Sequence, residues 1–203
     1  MLRIFLFVIG CKVNYLVGLI EKQFFHSNYL VTLVSMNIII QSSIHTLSKS
    51  KSLLSILSNR DLCNASVPPY NSCIGSHIRH ILDFYDCILD GHLRGHIDLT
   101  NRARDTRMHE DCDYAFENVE RVIKSLNQLS RINPNSAINV SDDLGIGKVD
   151  IEYTLGAVLA QANSHAIHHY AIISYILESL NISIDDDTFG YNPTTPQPEA
   201  NLN

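Results

Sequence analysis

The chain has 203 residues, of which 45% are hydrophobic and 18% charged, a composition typical of one globular domain with a sizeable core. The formal net charge of −6, without a basic patch carrying interleaved aromatic residues, argues against nucleic acid as a main partner. The five cysteines form no CxxC pair, which indicates buried free thiols in a reducing, cytoplasmic compartment.

Residues 1–35 are apolar but have no helical or strand period. We interpret them as a non-native or signal-like extension, with translation beginning at Met36, where amphipathic periodicity starts. The alternative is an envelope lipoprotein, because Val8-Ile9-Gly10-Cys11 is similar to a lipobox and would make Cys11 a lipidated residue. The apolar run before that cysteine is short for a signal peptide, and charged residues interrupt any membrane span. We therefore expect no membrane partner.

Two amphipathic helices are predicted next. Apolar residues at helical spacing over 37–57 predict the first helix, and Pro68-Pro69 predicts a loop over 59–69. Asn71 or Ser72 is a suitable N-cap for the second helix, which should end near Gly91.

The second helix carries two histidines beside its apolar stripe. At about 100° per residue, His77 lies at the margin of that stripe, whereas His80 lies further round. We therefore predict that His77 faces the interior, with His80 as the second choice.

The next predicted elements are a polar loop over 91–100 and a charged segment over 101–105 that leads into a third helix ending before Pro134. Alternating apolar residues over 136–153 predict a short hairpin or an irregular excursion. Thr154 is a suitable N-cap for a fourth helix that ends at Leu180.

His165 and His169 lie one turn apart on the apolar face of this fourth helix, whereas His168 lies at its margin. Unpartnered polar groups are costly in an interior, and paired imidazoles are common metal ligands. With His77 they make three nitrogen donors from two helices, which is typical of a catalytic metal site with one open position. The sequence thus predicts an all-α four-helix bundle with a small β-hairpin before the last helix.

Four stretches, in this order, resemble the signatures of the DinB family, a group of metalloenzyme-like proteins. They are Ser76–Asp83, Asn101–Asp105, Ser164–Ala171 and Phe189–Pro196, and the resemblance spans roughly residues 36–196. Residues 197–203 would then be a flexible tail.

The resemblance implies a bundle of DinB type in which His77, His165 and His169 hold a divalent metal, Zn²⁺ first and Ni²⁺ or Fe²⁺ as alternatives. It implies a homodimer that acts on a small molecule, with transferase-type activation of a low-molecular-weight thiol or water. Residues expected to support the metal or bind substrate are His80, His168, Arg102, Arg104 and Asp105.

One departure from the family pattern leaves a second interpretation open. Similar proteins tend to carry an Arg-Glu pair near the start of the last helix, where this chain has Ala157 and Val158. If that pair orients a ligand or substrate, the chain would instead be a non-catalytic, metal-binding, dimeric stress-response protein.

Overall fold

The computed structural model describes residues 38–129 and 132–196. The interpretations of residues 1–35, including the lipobox at Cys11, and of the tail over 197–203 therefore lie outside the described residues. The described part contains five helices and three strands. The helices are α1 (38–54), α2 (Asn59–Leu62), α3 (Ile74–Gly91), α4 (Cys112–Gln128) and α5 (Leu155–Ser179), and the strands are β1 (His96–Asp98), β2 (Ala137–Asp143) and β3 (Lys148–Thr154).

The prediction of an all-α four-helix bundle is wrong, because the three strands form a mixed sheet in the order β1-β2-β3. Strand β1 pairs parallel with β2, and β2 pairs antiparallel with β3 as a hairpin. The hairpin of β2 and β3 lies in the segment where alternating apolar residues predict it, whereas β1 lies in the segment predicted as a polar loop. Only Ile97 of β1 is buried, and three residues are too few to show a strand period.

Helix α3 lies at the centre of the molecule, where it contacts α4, α5, β1 and a 3-10 turn over Thr106–His109. Two glycines permit this close packing. A Cβ atom at Gly91 would collide with the carbonyl oxygen of His96, and one at Gly75 would lie 2.6 Å from the Cα atom of His109. The side chains of α3 are consequently buried on several faces, including Asp83, Phe84 and Cys87, which lie away from the main apolar stripe.

The residues that cap the N-termini of α5, α3 and α4 can be compared with those that the sequence predicts. Thr154 caps α5 as predicted, with its hydroxyl oxygen accepting a hydrogen bond from the Ala157 amide at 3.2 Å. Helix α3 is capped by Cys73 rather than by Asn71 or Ser72. Helix α4 begins only after Asp111, which accepts from the Tyr114 amide, so the charged segment over 101–105 does not lead directly into it.

On the other side of α5, Tyr170 links this helix to α1 and to the C-terminal segment. Its hydroxyl donates to the Thr46 carbonyl at 3.0 Å and lies 2.6 Å from the Ser50 hydroxyl oxygen. Its ring stacks on Phe189, with the ring centres 4.9 Å apart. Phe189, which is 4% exposed, therefore packs the C-terminal segment against the body of the protein.

Among the described residues, none of the helices combines the length and the apolar character needed to cross a membrane.

Candidate metal centre

A cluster of four histidines lies between α3 and α5. On α3, His77, His80 and Phe84 are spaced i, i+3 and i+7, so they share one face of the helix. On α5, His165 and His169 are spaced i, i+4 and share the facing side. The rings meet across the interface, with the centres of His80 and His169 4.7 Å apart and those of Phe84 and His165 5.2 Å apart.

The imidazole nitrogens form a continuous chain of short contacts. The Nε2 atoms of His80 and His165 lie 2.9 Å apart, and those of His165 and His169 lie 3.1 Å apart. The Nδ1 atom of His169 faces the Nδ1 atom of His77 at 2.9 Å, and the Nε2 atom of His77 lies 2.8 Å from the Ser72 hydroxyl oxygen. Each contact between two rings therefore requires one nitrogen to donate and the other to accept, whereas the Ser72 hydroxyl can do either.

Three of these rings could hold a metal ion. His80, His165 and His169 each offer one nitrogen, and the three nitrogens lie within 4.8 Å of one another. Nitrogens bound about 2.1 Å from a tetrahedral metal lie about 3.4 Å apart. The contacts of 2.9 and 3.1 Å that His165 makes with His80 and His169 would therefore have to open slightly, while all three nitrogens already lie within 4.8 Å of one another. Three imidazoles are a donor set that suits Zn²⁺, Ni²⁺ or Fe²⁺.

The charge state of the cluster also suits a metal. Burial is the largest cause that lowers the pKa of all four histidines. The pKa of His80 falls to about 4, with Arg102 as the second cause, and that of His169 falls to about 3, with His165 as the second cause. The rings are therefore neutral near pH 7, which is the form that offers lone pairs to a metal.

Arg102 fixes the positions of the protons in this cluster. A guanidinium can only donate, and its Nη1 atom lies 3.0 Å from the Nδ1 atom of His80, so that nitrogen must accept. The proton of neutral His80 is then on Nε2 and points at His165. The Nε2 atom of His165 then accepts, and its single lone pair is shared by the Nε2–H groups of His80 and His169. The Nδ1 atom of His169 consequently accepts from His77.

The remaining residues predicted for the site lie apart from this chain of contacts. The side chain of His168 is exposed, with its ring centre 5.4 Å from that of His169. The Arg104 side chain is exposed, and its backbone amide donates to Asp83. Asp105 caps the 3-10 turn through the Arg107 amide and accepts from the Tyr114 hydroxyl at 2.7 Å.

The structure thus brings both predicted residues of α5 together with both histidines of α3. His80 belongs to the group of three convergent nitrogens, whereas His77 contacts only His169 within the cluster. Helical phase favours His77 when the angular position of each histidine is compared with a single apolar stripe of the helix. The sequence carries a second stripe on α3, formed by Cys73, His77, His80, Phe84 and Cys87 at spacings of three and four residues, which would have placed both histidines on one buried side.

No protein-family model matches this chain, and a comparison with curated proteins likewise gives no match. The resemblance to the DinB family therefore stays a prediction.

Proposed function

We propose that this protein is a DinB-like metal-dependent enzyme that uses His80, His165 and His169 as ligands of a divalent cation. The observation that carries the proposal is the convergence of three nitrogen atoms within 4.8 Å. A metal held by three protein ligands keeps a position for an exogenous group. Zn²⁺ is the preferred ion because neutral imidazoles in a compact set suit it, with Ni²⁺ and Fe²⁺ as alternatives.

The metal would supply one kind of chemistry, which is lowering the pKa of a bound thiol or water so that it becomes a nucleophile at neutral pH. The protein's own residues would hold the ligands in place. When the Nε2 atom of His169 binds a metal, its Nδ1–H group can donate a hydrogen bond to the Nδ1 atom of His77. The Nε2–H group of His77 can then donate to the Ser72 hydroxyl oxygen. Transferase-type reaction of a low-molecular-weight thiol with a small electrophile is the proposed activity.

The alternative, a non-catalytic metal-binding protein, is favoured by the environment of residues 157 and 158. Val158 is fully buried in the core, and Ala157 is exposed at the first turn of α5. No charged pair is present at this point to orient a substrate, so turnover has to be tested separately from metal binding.

Metal binding is tested by comparing His165→Ala with His168→Ala, two histidines on the same helix of which only the first belongs to the convergent group. We expect Zn²⁺ or Ni²⁺ to raise the melting temperature of the native protein and of His168→Ala, and to leave that of His165→Ala unchanged. Equal responses of the two variants would exclude the proposed ligand set.

Catalysis is tested with glutathione, bacillithiol and mycothiol, each offered with a small electrophile to the metal-loaded protein. Thiol consumption that disappears in His165→Ala and persists in His168→Ala supports the enzyme. Metal binding without turnover of any of the three thiols would favour the non-catalytic alternative.

A further inference from the structure

Arg102 has no carboxylate partner among the described residues, although it is half-buried beside four histidines. Its Nε atom donates to the Leu99 carbonyl at 2.8 Å, and its Nη1 atom donates to His80 at 3.0 Å. The neighbouring Arg79, in contrast, forms an ion pair with the buried Asp83 at 2.8 Å. Asp83 is near enough for Arg102 to lower its pKa, but its direct ion pair is with Arg79, so the partly buried guanidinium of Arg102 has no carboxylate of its own, which is costly.

The contact between Arg102 and His80 is incompatible with metal binding by His80 through Nε2. While the guanidinium donates to Nδ1, the proton of the neutral ring remains on Nε2, the nitrogen that the metal requires. Metal binding therefore needs that proton on Nδ1, where it would point at an N–H group of Arg102. The positive charge of Arg102 also opposes a cation a few ångströms away.

A carboxylate between the two side chains would remove both conflicts. One oxygen can accept from the Nδ1–H group of His80, and the other can accept from the guanidinium, which binds carboxylates well through two parallel hydrogen bonds. Metal-bound histidines commonly donate their second N–H group to a carboxylate in this way. The negative charge would at the same time neutralise Arg102.

Resting on the proposed metal site, we propose that the substrate or co-substrate carries a carboxylate that binds between Arg102 and His80, and that this anion and the metal strengthen each other's binding. Without the anion, Arg102 competes with the metal for His80. With it, His80 is turned into the tautomer that a metal accepts. By linkage, the metal increases the affinity for the anion by the same factor.

Three arginine variants separate this role from a general effect of charge. Arg102→Gln removes the charge and offers a carbonyl oxygen that can accept from His80. Arg102→Lys keeps a positive donor. Arg104→Gln makes the same charge change at an exposed side chain two residues away. Affinity for Zn²⁺ is measured by competition with a chromophoric chelator, without and with acetate as the carboxylate probe.

We expect Arg102→Gln to bind Zn²⁺ about fivefold or more tightly than the native protein, the worth of one hydrogen bond and one opposing charge. Acetate should tighten binding to the native protein and have no further effect on Arg102→Gln. Arg104→Gln should behave like the native protein, whereas Arg102→Lys should keep the effect of acetate in weakened form, because lysine offers no pair of parallel donors. Equal affinity in native protein and Arg102→Gln, or an equal acetate effect on both, would overturn the inference while leaving the metal site in place.

A second measurement does not depend on metal. Long-range ¹H–¹⁵N correlation spectra of the metal-free protein report the tautomer of each histidine, and His80 should carry its proton on Nε2 in the native protein and on Nδ1 in Arg102→Gln. Finding the Nδ1–H tautomer in the native protein would overturn the inference. Failure of the native protein and of Arg102→Gln to bind any metal would instead reject the proposed function, and the inference with it.

Discussion

His169 and Tyr170 are neighbours on α5 and are both buried, yet their polar groups are satisfied in different ways. The Tyr170 hydroxyl donates to the Thr46 carbonyl, and the Ser50 hydroxyl completes the network. Both nitrogens of His169 face other imidazoles, each of which is itself a base. One residue along the helix therefore separates a closed polar network from an open one.

The two networks differ in where they end. That of Tyr170 ends at a neutral backbone carbonyl, and burial raises the pKa of its hydroxyl, so the group stays neutral. The histidine network ends at Arg102, a charge without a carboxylate partner among the described residues. A closed, neutral network stabilises the fold, whereas the three nitrogens that converge within 4.8 Å could hold a metal ion.

The largest expected effect is the loss of stability in Tyr170→Ala, which tests whether the Tyr170 network stabilises the fold. Removing a large buried ring leaves a cavity against Phe189 and strands the Ser50 hydroxyl, so we expect the free energy of unfolding to fall by about 3–5 kcal/mol. Urea denaturation followed by circular dichroism measures this fall. Tyr175→Ala, an exposed tyrosine on the same helix, should change stability by less than about 0.5 kcal/mol.

The same Tyr170→Ala variant tests whether the tyrosine network and the histidine network are independent of each other. Zn²⁺ affinity of the folded fraction should stay within about threefold of the native value, because the Tyr170 side chain faces Thr46, Ser50 and Phe189. A loss of metal affinity as large as that of His165→Ala would show that the two networks are one unit.

The pH dependence of stability gives the next largest effect. The pKa of His80 is lowered to about 4 and that of His169 to about 3, both mainly by burial. The unfolded chain protonates these rings near pH 6.5 and the folded chain does not, so their contribution is fully present above pH 6.5 and is lost as the pH falls. We expect the metal-free protein to lose about 2–3 kcal/mol between pH 7 and pH 5.

Replacing these two histidines together, as His80→Gln with His169→Gln, should remove most of this slope, because glutamine does not titrate. Denaturant midpoints at each pH, measured in the presence of a chelator, follow the effect. An unchanged slope in the double variant would assign the acid sensitivity to groups elsewhere in the chain.

The parts of the fold and of the site that the sequence predicts are those that depend on residues close together in the chain. The i, i+4 pair of His165 and His169 and the Thr154 cap are local, and local spacing was enough to predict them. The sequence does not predict strand β1, because three residues carry no period and because its strand character comes from pairing with β2, where His96 lies opposite Asn139, 43 residues further along the chain. Helical phase on α3 could not separate His77 from His80, since α5 buries both.

The hydrogen bond between Arg102 and His80 cannot be predicted from the sequence, for a related reason. Arg102 and Arg104 belong to one charged segment, and no pattern within it shows which side chain turns inward. The distinction comes from the loop path, which brings the Arg104 amide to Asp83 and points the Arg102 guanidinium at the cluster. A contact between residues 22 positions apart is decided by packing rather than by local preference.

The smallest of the expected effects decides how His77 acts. As the hydrogen-bond partner behind His169, it would orient a ligand, so His77→Ala should weaken Zn²⁺ binding by about tenfold, the usual cost of losing such a partner. His77→Gln should restore much of that loss, because its side-chain oxygen can accept from the Nδ1–H group of His169. The visible spectrum of the Co²⁺-loaded protein should keep its band positions in both variants. A loss above about a hundredfold, with shifted Co²⁺ bands, would make His77 a direct ligand, as the sequence predicts, and would leave His80 as the supporting residue.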